Sequence, residues 1–126
     1  MNLLVVDDIA INRKLLRATL EAEGYNVLEA GDGVEALQIL ARETVDAVIS
    51  DVLMPNMDGF DMLRTLRHQP GGKDAKVVVL TNMGDSETAT KVYKLNADDY
   101  IVKAELTPKQ VEERVRTLLN KPPKTT

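Results

Sequence analysis

Three aspartates stand where two apolar segments of the chain end. Asp7 and Asp8 follow Leu3–Val6, and Asp51 closes the β-branched run inside the stretch VDAVISDVLMPNMDG, residues 45–59. Short apolar runs bounded by turn residues are typical of buried strands, and ligand chemistry in open α/β sheets lies just beyond the carboxyl ends of such strands. We therefore take Asp51 as the first candidate site residue, with Asp7 and Asp8 beside it.

Carboxylates that converge at such a position require a compensating cation. Two unit charges about 4 Å apart repel by roughly 4 kcal/mol at an effective dielectric near 20. Mg²⁺ is a natural compensator, because it prefers oxygen ligands and is usually held by one or two carboxylates together with a phosphate. Taken singly, Asp8 is also explained as a helix N-cap and Asp51 as a loop residue. The shared position of all three aspartates at strand ends favours the metal site.

A hydroxyl group and a positive charge are predicted at the same edge of the sheet. Thr81 ends the β-prone run Lys76–Leu80, and Lys103 follows the last short predicted strand, Asp98–Val102. Each alone is ordinary, since threonine is common in strands and most lysines are simply solvated. Together they offer a donor and a fixed charge opposite the carboxylates, so an anion such as a phosphoryl group would complete the charge balance.

The elements that position these residues alternate along the chain. Five strand-like segments and five helical patterns are joined by short connections, which predicts an α/β fold with right-handed crossovers and a doubly wound, five-stranded parallel sheet. Four strands end in polar residues, whereas the second ends in Ala30 and Gly31. If the polar ends share one crevice, the second strand lies at an edge and the strand order is 2-1-3-4-5, as in flavodoxin-like folds.

The first helix is predicted over Ile9–Glu23, and Gly24 ends it as a C′ residue. Its helical period favours one apolar face, which we expect to pack on the sheet: Ile11, Leu15, Ala18 and Ala22. The other side is polar and basic: Asn12, Arg13, Lys14 and Arg17. The later helices are predicted over residues 34–41 behind the N-cap Asp32, over residues 60–67, over residues 86–95 with the weakest pattern, and over residues 108–119 behind Thr107 and Pro108.

The composition is that of one domain without disulfides or membrane spans. We expect a single domain over residues 1–120 and a flexible tail or linker stub over residues 121–126. The chain lacks cysteine, has no basic leader before its first strand, and has no apolar run near the roughly 20 residues of a bilayer span. These features predict a cytoplasmic protein with no membrane partner. A formal net charge of −4 and few aromatic residues argue against direct binding to nucleic acid.

The spaced set of motifs resembles the receiver domain of two-component response regulators, which has the CheY-like (βα)5 fold. The motifs are Asp7–Asp8, Asp51 followed by VLMPNMDG, Thr81, and Tyr100–Lys103. The resemblance extends from residue 2 to about residue 120, and it depends on the whole set rather than on one motif. It implies a phosphorylation-dependent switch that signals by protein contact. Such a domain promotes its own phosphoryl transfer and dephosphorylation but is not a turnover enzyme.

The resemblance also implies a role for each site residue. Asp51 would be the phospho-acceptor, converted to an aspartyl phosphate by a histidine kinase or a histidine phosphotransfer protein. Asp8 and Asp51 would ligate Mg²⁺ directly, and Asp7 would hold it through a water molecule. The backbone carbonyl of Leu53 would be a further metal ligand, and Lys103 would pair with a phosphoryl oxygen.

The same resemblance implies how the signal enters and leaves. Thr81 and Tyr100 would form the switch, which acts on the face of the fourth helix, fifth strand and fifth helix, where a homodimer is expected. The basic side of the first helix resembles the side on which the kinase docks. Asn82 and Ala104 depart from the family pattern, which has alanine or glycine at the first position and proline at the second. We expect restricted access to the site at Asn82 and a trans peptide bond before Ala104.

Three alternatives use related chemistry or the same fold. A Mg²⁺-dependent phosphohydrolase with an aspartyl nucleophile typically carries a second aspartate two residues later, where this chain has Leu53. A nucleotide- or flavin-binding domain would need a G-x-G-x-x-G turn after the first strand, which the sequence lacks. An engineered or chimeric receiver used as a structural module is the third alternative.

Overall fold

The structure, a computed structural model, describes residues 1–51, 59–66, 68–72, 74–81, 90, 93–94, 97–102 and 106–120. Its strands are β1 (Asn2–Val6), β2 (Asn26–Ala30), β3 (Ala47–Asp51), β4 (Lys76–Thr81) and β5 (Asp99–Val102). Its helices are α1 (Ala10–Ala22), α2 (Gly33–Leu40), α3 (Gly59–Leu66) and α4 (Pro108–Leu119), with a 3₁₀ turn at Pro70–Gly72. The helix α4 is the fifth helix of the sequence-based prediction. The predicted fourth helix, apart from Thr90, Tyr93 and Lys94, and the predicted tail lie outside the described residues.

The five strands form one parallel sheet in the order β2-β1-β3-β4-β5, which confirms the predicted fold class and strand order. The register aligns the carboxyl ends of the central strands, because Val6 pairs with Ser50 and Asp51 pairs with Leu80. The strand ends that carry Asp51 and Thr81 therefore meet at one edge of the sheet. This edge is where the sequence predicted the site.

Side chains of the sheet alternate between two hydrophobic cores. Leu4 and Val6 of β1 face the core that includes α2 and α3, whereas Leu3 and Val5 face the core that includes α1 and α4. Because both faces are covered, the central strands β1, β3 and β4 are mostly apolar runs rather than alternating patterns. Every residue of β3 is buried, including Asp51, so a packed strand holds that carboxylate.

The buried face of α1 differs from the predicted one. Leu16 and Leu20 are buried against the sheet, whereas Ile11 is 75% exposed and Leu15 is 57% exposed. The whole predicted stripe is exposed: Ile11, Leu15, Ala18 and Ala22. The prediction was wrong because two apolar stripes, offset by one residue, both fit the helical period.

Two arginines of α1 lie on the same side of the helix as the buried Leu16 and Leu20. Arg13 and Arg17 both reach the carboxylate of Glu29 in β2, so their side of the helix is turned toward the sheet edge. Their aliphatic stems cover apolar surface while the charged heads find a partner. The predicted apolar stripe is consequently left on the solvent side.

The predicted helix ends at Gly24, Asp32 and Thr107 are confirmed. Gly24 has a φ of +93°, in the left-handed region that suits a glycine after a helix. Asp32 accepts a hydrogen bond from the Glu35 N–H at 2.8 Å, and Thr107 forms a capping box with Gln110. None of the described helices is both long enough and apolar enough to cross a membrane.

Candidate functional site

Three carboxylates meet at the carboxyl edge of the sheet. One oxygen each from Asp7, Asp8 and Asp51 lies within 4.8 Å of the other two. Asp7 and Asp51 are buried, and Asp8 is exposed, so the cluster opens to solvent at Asp8. The cluster forms because β1 and β3 are neighbours in the sheet.

The donor set fits a hard divalent cation. All three groups offer oxygen ligands, and they hold like charges close together in a partly buried place. A cation among them would offset the repulsion that such charges produce. Mg²⁺ fits this set, because it retains several water ligands and needs only one or two carboxylates from the protein.

Asp7 is held by the main chain around it. Its Oδ1 accepts a hydrogen bond from the Ile9 N–H at 2.9 Å, and its own N–H donates to the Ala30 carbonyl at 3.1 Å. The N-cap of α1 is Ile9. The alternative explanation of Asp8 as the N-cap of this helix is therefore wrong. The carboxylate of Asp8 therefore belongs to the acidic cluster rather than to the helix terminus.

A small ionic network lies beside the cluster. Arg13 Nε is 2.8 Å from Glu29 Oε1, and Arg17 Nη1 is 2.6 Å from Glu29 Oε2. Arg13 also donates from Nη1 to the Asp7 carbonyl oxygen at 2.7 Å. The hydrogen bond from Arg17, and after it the one from Arg13, lowers the pKa of Glu29 below its usual value, although burial acts the other way. The sequence analysis did not predict this network. The available signal was Glu29, a single acidic residue in the otherwise largely apolar strand β2.

The other predicted site residues are only partly described. Thr81 is fully buried at the end of β4, and Tyr100 of β5 packs against the core that includes α2 and α3. His68 is exposed and lies away from these strand ends, after α3. Four predicted positions lie outside the described residues: Leu53, Asn82, Lys103 and Ala104. The structure thus brings the three aspartates together and places Thr81 on the next strand.

The family of the chain follows from its sequence over almost the whole domain. Residues 3–116 match the model of the response regulator receiver domain. This chain belongs to the response regulator receiver domain family. Receiver domains are switches of two-component signalling, interact with histidine kinases and bind Mg²⁺ at an acidic pocket. The predicted resemblance is therefore confirmed.

A curated relative of this receiver domain is about twice as long. The chain is 39% identical over 119 residues to a probable transcriptional regulator, ycf27, of Porphyridium aerugineum. The match covers 94% of this chain and 48% of that protein. The chain spans about half the length of the curated relatives it matches.

Solved receiver structures share the fold. The CheY-like receiver domain protein of Methanospirillum hungatei is 25% identical with a TM-score of 0.87, and the match covers 94% of this chain and 93% of that one. The response regulator TrrA of Thermotoga maritima is 33% identical with a TM-score of 0.80, covering 93% and 97%. That TrrA structure is a complex with Mg²⁺ and BeF.

Proposed function

We propose that this receiver domain is phosphorylated on Asp51 by a histidine kinase or a histidine phosphotransfer protein, and that the phosphoryl group switches its protein contacts. The supporting observation is the cluster of Asp7, Asp8 and Asp51 at the carboxyl edge of the sheet. An Asp51 carboxylate oxygen attacks the phosphorus, a P–O bond forms, and the P–N bond to the donor histidine breaks. The aspartyl phosphate is the signalling state, so the domain is a switch rather than a turnover enzyme.

The residues of the acidic cluster and their neighbours have different roles in this reaction. Asp8, Asp51 and the backbone carbonyl of Leu53 would hold Mg²⁺ directly, and Asp7 would hold it through water. Bound there, the ion supplies positive charge to the phosphoryl oxygens. Lys103 supplies a second positive charge by pairing with one of those oxygens. Asp51 is only 7% exposed, and electrostatic interactions are stronger in a site that excludes water.

Intact mass after incubation with acetyl phosphate and Mg²⁺ tests these assignments. The wild-type chain should gain one phosphoryl group, and Asp51→Asn should gain none, because the amide is not a nucleophile. Removal of Mg²⁺ by EDTA, or Asp8→Asn, should slow the gain by about tenfold or more, which corresponds to roughly 1.4 kcal/mol in the barrier.

The control for this experiment is Asp74→Asn, which changes an exposed aspartate at the opposite edge of the sheet. It should be phosphorylated like the wild type. An unmodified wild-type chain, or an Asp51→Asn chain modified at the wild-type rate, would contradict the proposal.

We assign the switch to Thr81 and Tyr100. A hydrogen bond from the Thr81 hydroxyl to a phosphoryl oxygen exists only in the phosphorylated state, and movement of Thr81 makes room for Tyr100 to turn inward. Tyr100 lies next to Asp99, which forms an ion pair with Arg114 of α4 at 2.6 Å.

We propose that the face of the predicted fourth helix, β5 and α4 forms a homodimer. Light scattering before and after phosphorylation tests this, and an unchanged molar mass would count against it.

An exposed apolar stripe on α1 is the proposed docking surface for the phosphodonor protein. The stripe consists of Ile11, Leu15, Ala18 and Ala22. Leu15 also lines a cleft of about 170 Å³ with Asp7 and Leu106, so the stripe is continuous with the acidic edge. On the basic side of the helix, which the family resemblance gives as the docking side, Glu29 engages Arg13 and Arg17, whereas Asn12 and Lys14 stay exposed beside the stripe. A partner with an apolar surface beside its phosphohistidine fits this arrangement.

Leu15→Glu should separate docking from chemistry. A charge in the centre of the stripe should slow transfer from a phosphorylated histidine protein by about tenfold or more, the effect of losing one well-packed contact at an interface. Phosphorylation by acetyl phosphate should be unchanged, because that small donor needs no docking surface. Val34→Glu is the matched control, since Val34 is an exposed apolar residue on another helix. Equal rates of phosphoryl transfer to Leu15→Glu and Val34→Glu would rule out the stripe as the docking surface.

The domain boundaries, the cellular location and the role of the whole protein stay predictions. The chain boundaries 1–120 and the cytoplasmic location rest on composition and pattern. A role of the whole protein in transcription is suggested by the names of its longer relatives. With a net charge of −4, this chain itself is proposed to signal through proteins rather than through a nucleic-acid backbone.

A further inference from the structure

Arg13 bonds at once to the main chain of the acidic cluster and to β2. Its Nη1 donates to the Asp7 carbonyl oxygen at 2.7 Å, and its Nε donates to Glu29 Oε1 at 2.8 Å. The side chains of Arg13 and Glu29 are 17% and 14% exposed, so both bonds are largely shielded from solvent. Arg13 therefore ties α1 and β2 to the peptide that links Asp7 to Asp8.

This contact requires a guanidinium group. Nε and Nη1 reach two acceptors from one rigid plane, whereas a lysine ammonium is a compact charge on a flexible stem. Arg17 Nη1 donates to the other oxygen of Glu29, Oε2, at 2.6 Å, so it does not compete with Arg13 for Oε1. The Asp7 carbonyl lies in the same planar peptide unit as the Asp8 nitrogen, so the bond from Arg13 sets the direction in which the Asp8 side chain leaves the main chain.

We propose that Arg13 is a positioning residue for the metal site, and that it orients the Asp7–Asp8 peptide so that the Asp8 carboxylate faces Asp51. The inference rests on the proposed function and adds a residue to it. As a cation, Arg13 would repel Mg²⁺, and Glu29 offsets only part of that charge because it also pairs with Arg17. Since the bond to the Asp7 carbonyl holds the peptide that carries Asp8, we expect the orienting effect to dominate, as it does for the outer-shell groups that hold metal ligands in place.

A Mg²⁺ titration followed by NMR at the Asp8 amide measures this role. The dissociation constant for Mg²⁺ should rise about tenfold in both Arg13→Lys and Arg13→Gln, the usual loss when an outer-shell partner is removed. Arg17→Lys is the matched control, because Arg17 bonds to the same Glu29 from the same helix without donating to Asp7. It should leave the dissociation constant unchanged.

A second measurement needs no metal. The Ile9 N–H donates to Asp7 Oδ1 at 2.9 Å, so its hydrogen exchange reports on the order of this loop. Exchange should become faster in both Arg13 variants and stay at the wild-type rate in Arg17→Lys. All variants are compared well below their melting temperatures.

Three results would overturn the proposal. Tighter Mg²⁺ binding in Arg13→Gln with normal binding in Arg13→Lys would show that only the charge of Arg13 matters. Equal weakening in Arg17→Lys would show a general loss of structure. Unchanged exchange at Ile9 in the Arg13 variants would show that Arg13 does not hold the loop. A wild-type chain that binds no Mg²⁺ would instead refute the proposed metal site, and the exchange measurement would still decide whether Arg13 orders the loop.

Discussion

Gly71→Ala should lower the free energy of unfolding by about 3 kcal/mol or more, the upper range for overpacking a closed position. A Cβ atom at Gly71 would lie 1.8 Å from the carbonyl oxygen of Glu43 and 2.6 Å from that of Leu40. These obstacles are backbone atoms at the end of α2 and in the segment just after it, and they cannot rotate away as a side chain would. The turn cannot easily retreat either, because the Gly71 carbonyl accepts from the Val45 N–H at 3.2 Å.

Urea denaturation followed by circular dichroism measures this loss. Gly31→Ala is the control, because a Cβ there would meet only the side-chain ends of Glu35 and Arg13, at 3.7 and 3.8 Å. That variant should unfold near the wild-type midpoint. A Gly71→Ala midpoint equal to that of the wild type would mean that the 3₁₀ turn moves aside without cost, contrary to the packing described.

Glu112→Leu should stabilise the domain by about 2 kcal/mol, within the range found when buried ionic groups are replaced by apolar ones. Glu112 is completely buried in α4, and its Oε2 has no hydrogen-bond partner among the described residues. Its Oε1 has only long contacts, 3.4 Å to Lys109 and 3.3 Å to Arg116. Both partners are about half exposed, so they stay solvated when the carboxylate is removed.

Thermal unfolding measures that gain, and Glu113→Leu is the matched control on the exposed side of the same helix. The control should change stability little, because it buries no charge. The charge of Glu112 has an independent reporter in Tyr25, whose pKa is raised first by burial and second by the Glu112 carboxylate. Glu112→Leu should therefore lower the pKa of Tyr25 toward its ordinary value. A less stable Glu112→Leu chain would mean that the pairs with Lys109 and Arg116 outweigh the cost of burial.

The fold and the place of the site followed from local patterns. Apolar runs that end in polar residues predicted both, because parallel strands covered on two faces can present polar groups only at their ends. The same patterns predict that Asp7, Asp8 and Asp51 lie at one edge of the sheet, where the structure has them. Helix ends were equally local: Asp32 and Thr107 accept hydrogen bonds from residues three positions later, within reach of any sequence-based argument.

The orientation of α1 did not follow from its own sequence. Two apolar stripes, offset by one residue, both fit the helical period, and the buried stripe is the one whose neighbouring arginines bind Glu29, a residue of the next strand. The contact of Arg13 with Asp7 was hidden for the same reason, since the arginine is anchored by that distant carboxylate.

The sequence by itself predicted the strand order, the helix caps and which carboxylates share an edge, because each follows from the residues at the ends of individual strands and helices. Only the tertiary structure decided that Gly71 has no room for a Cβ atom and that Glu112 is buried. The first depends on the end of α2, and the second depends on the packing of α4 over the sheet. Both are properties of surfaces that come into contact only when the chain is folded, and no local pattern of residues encodes them.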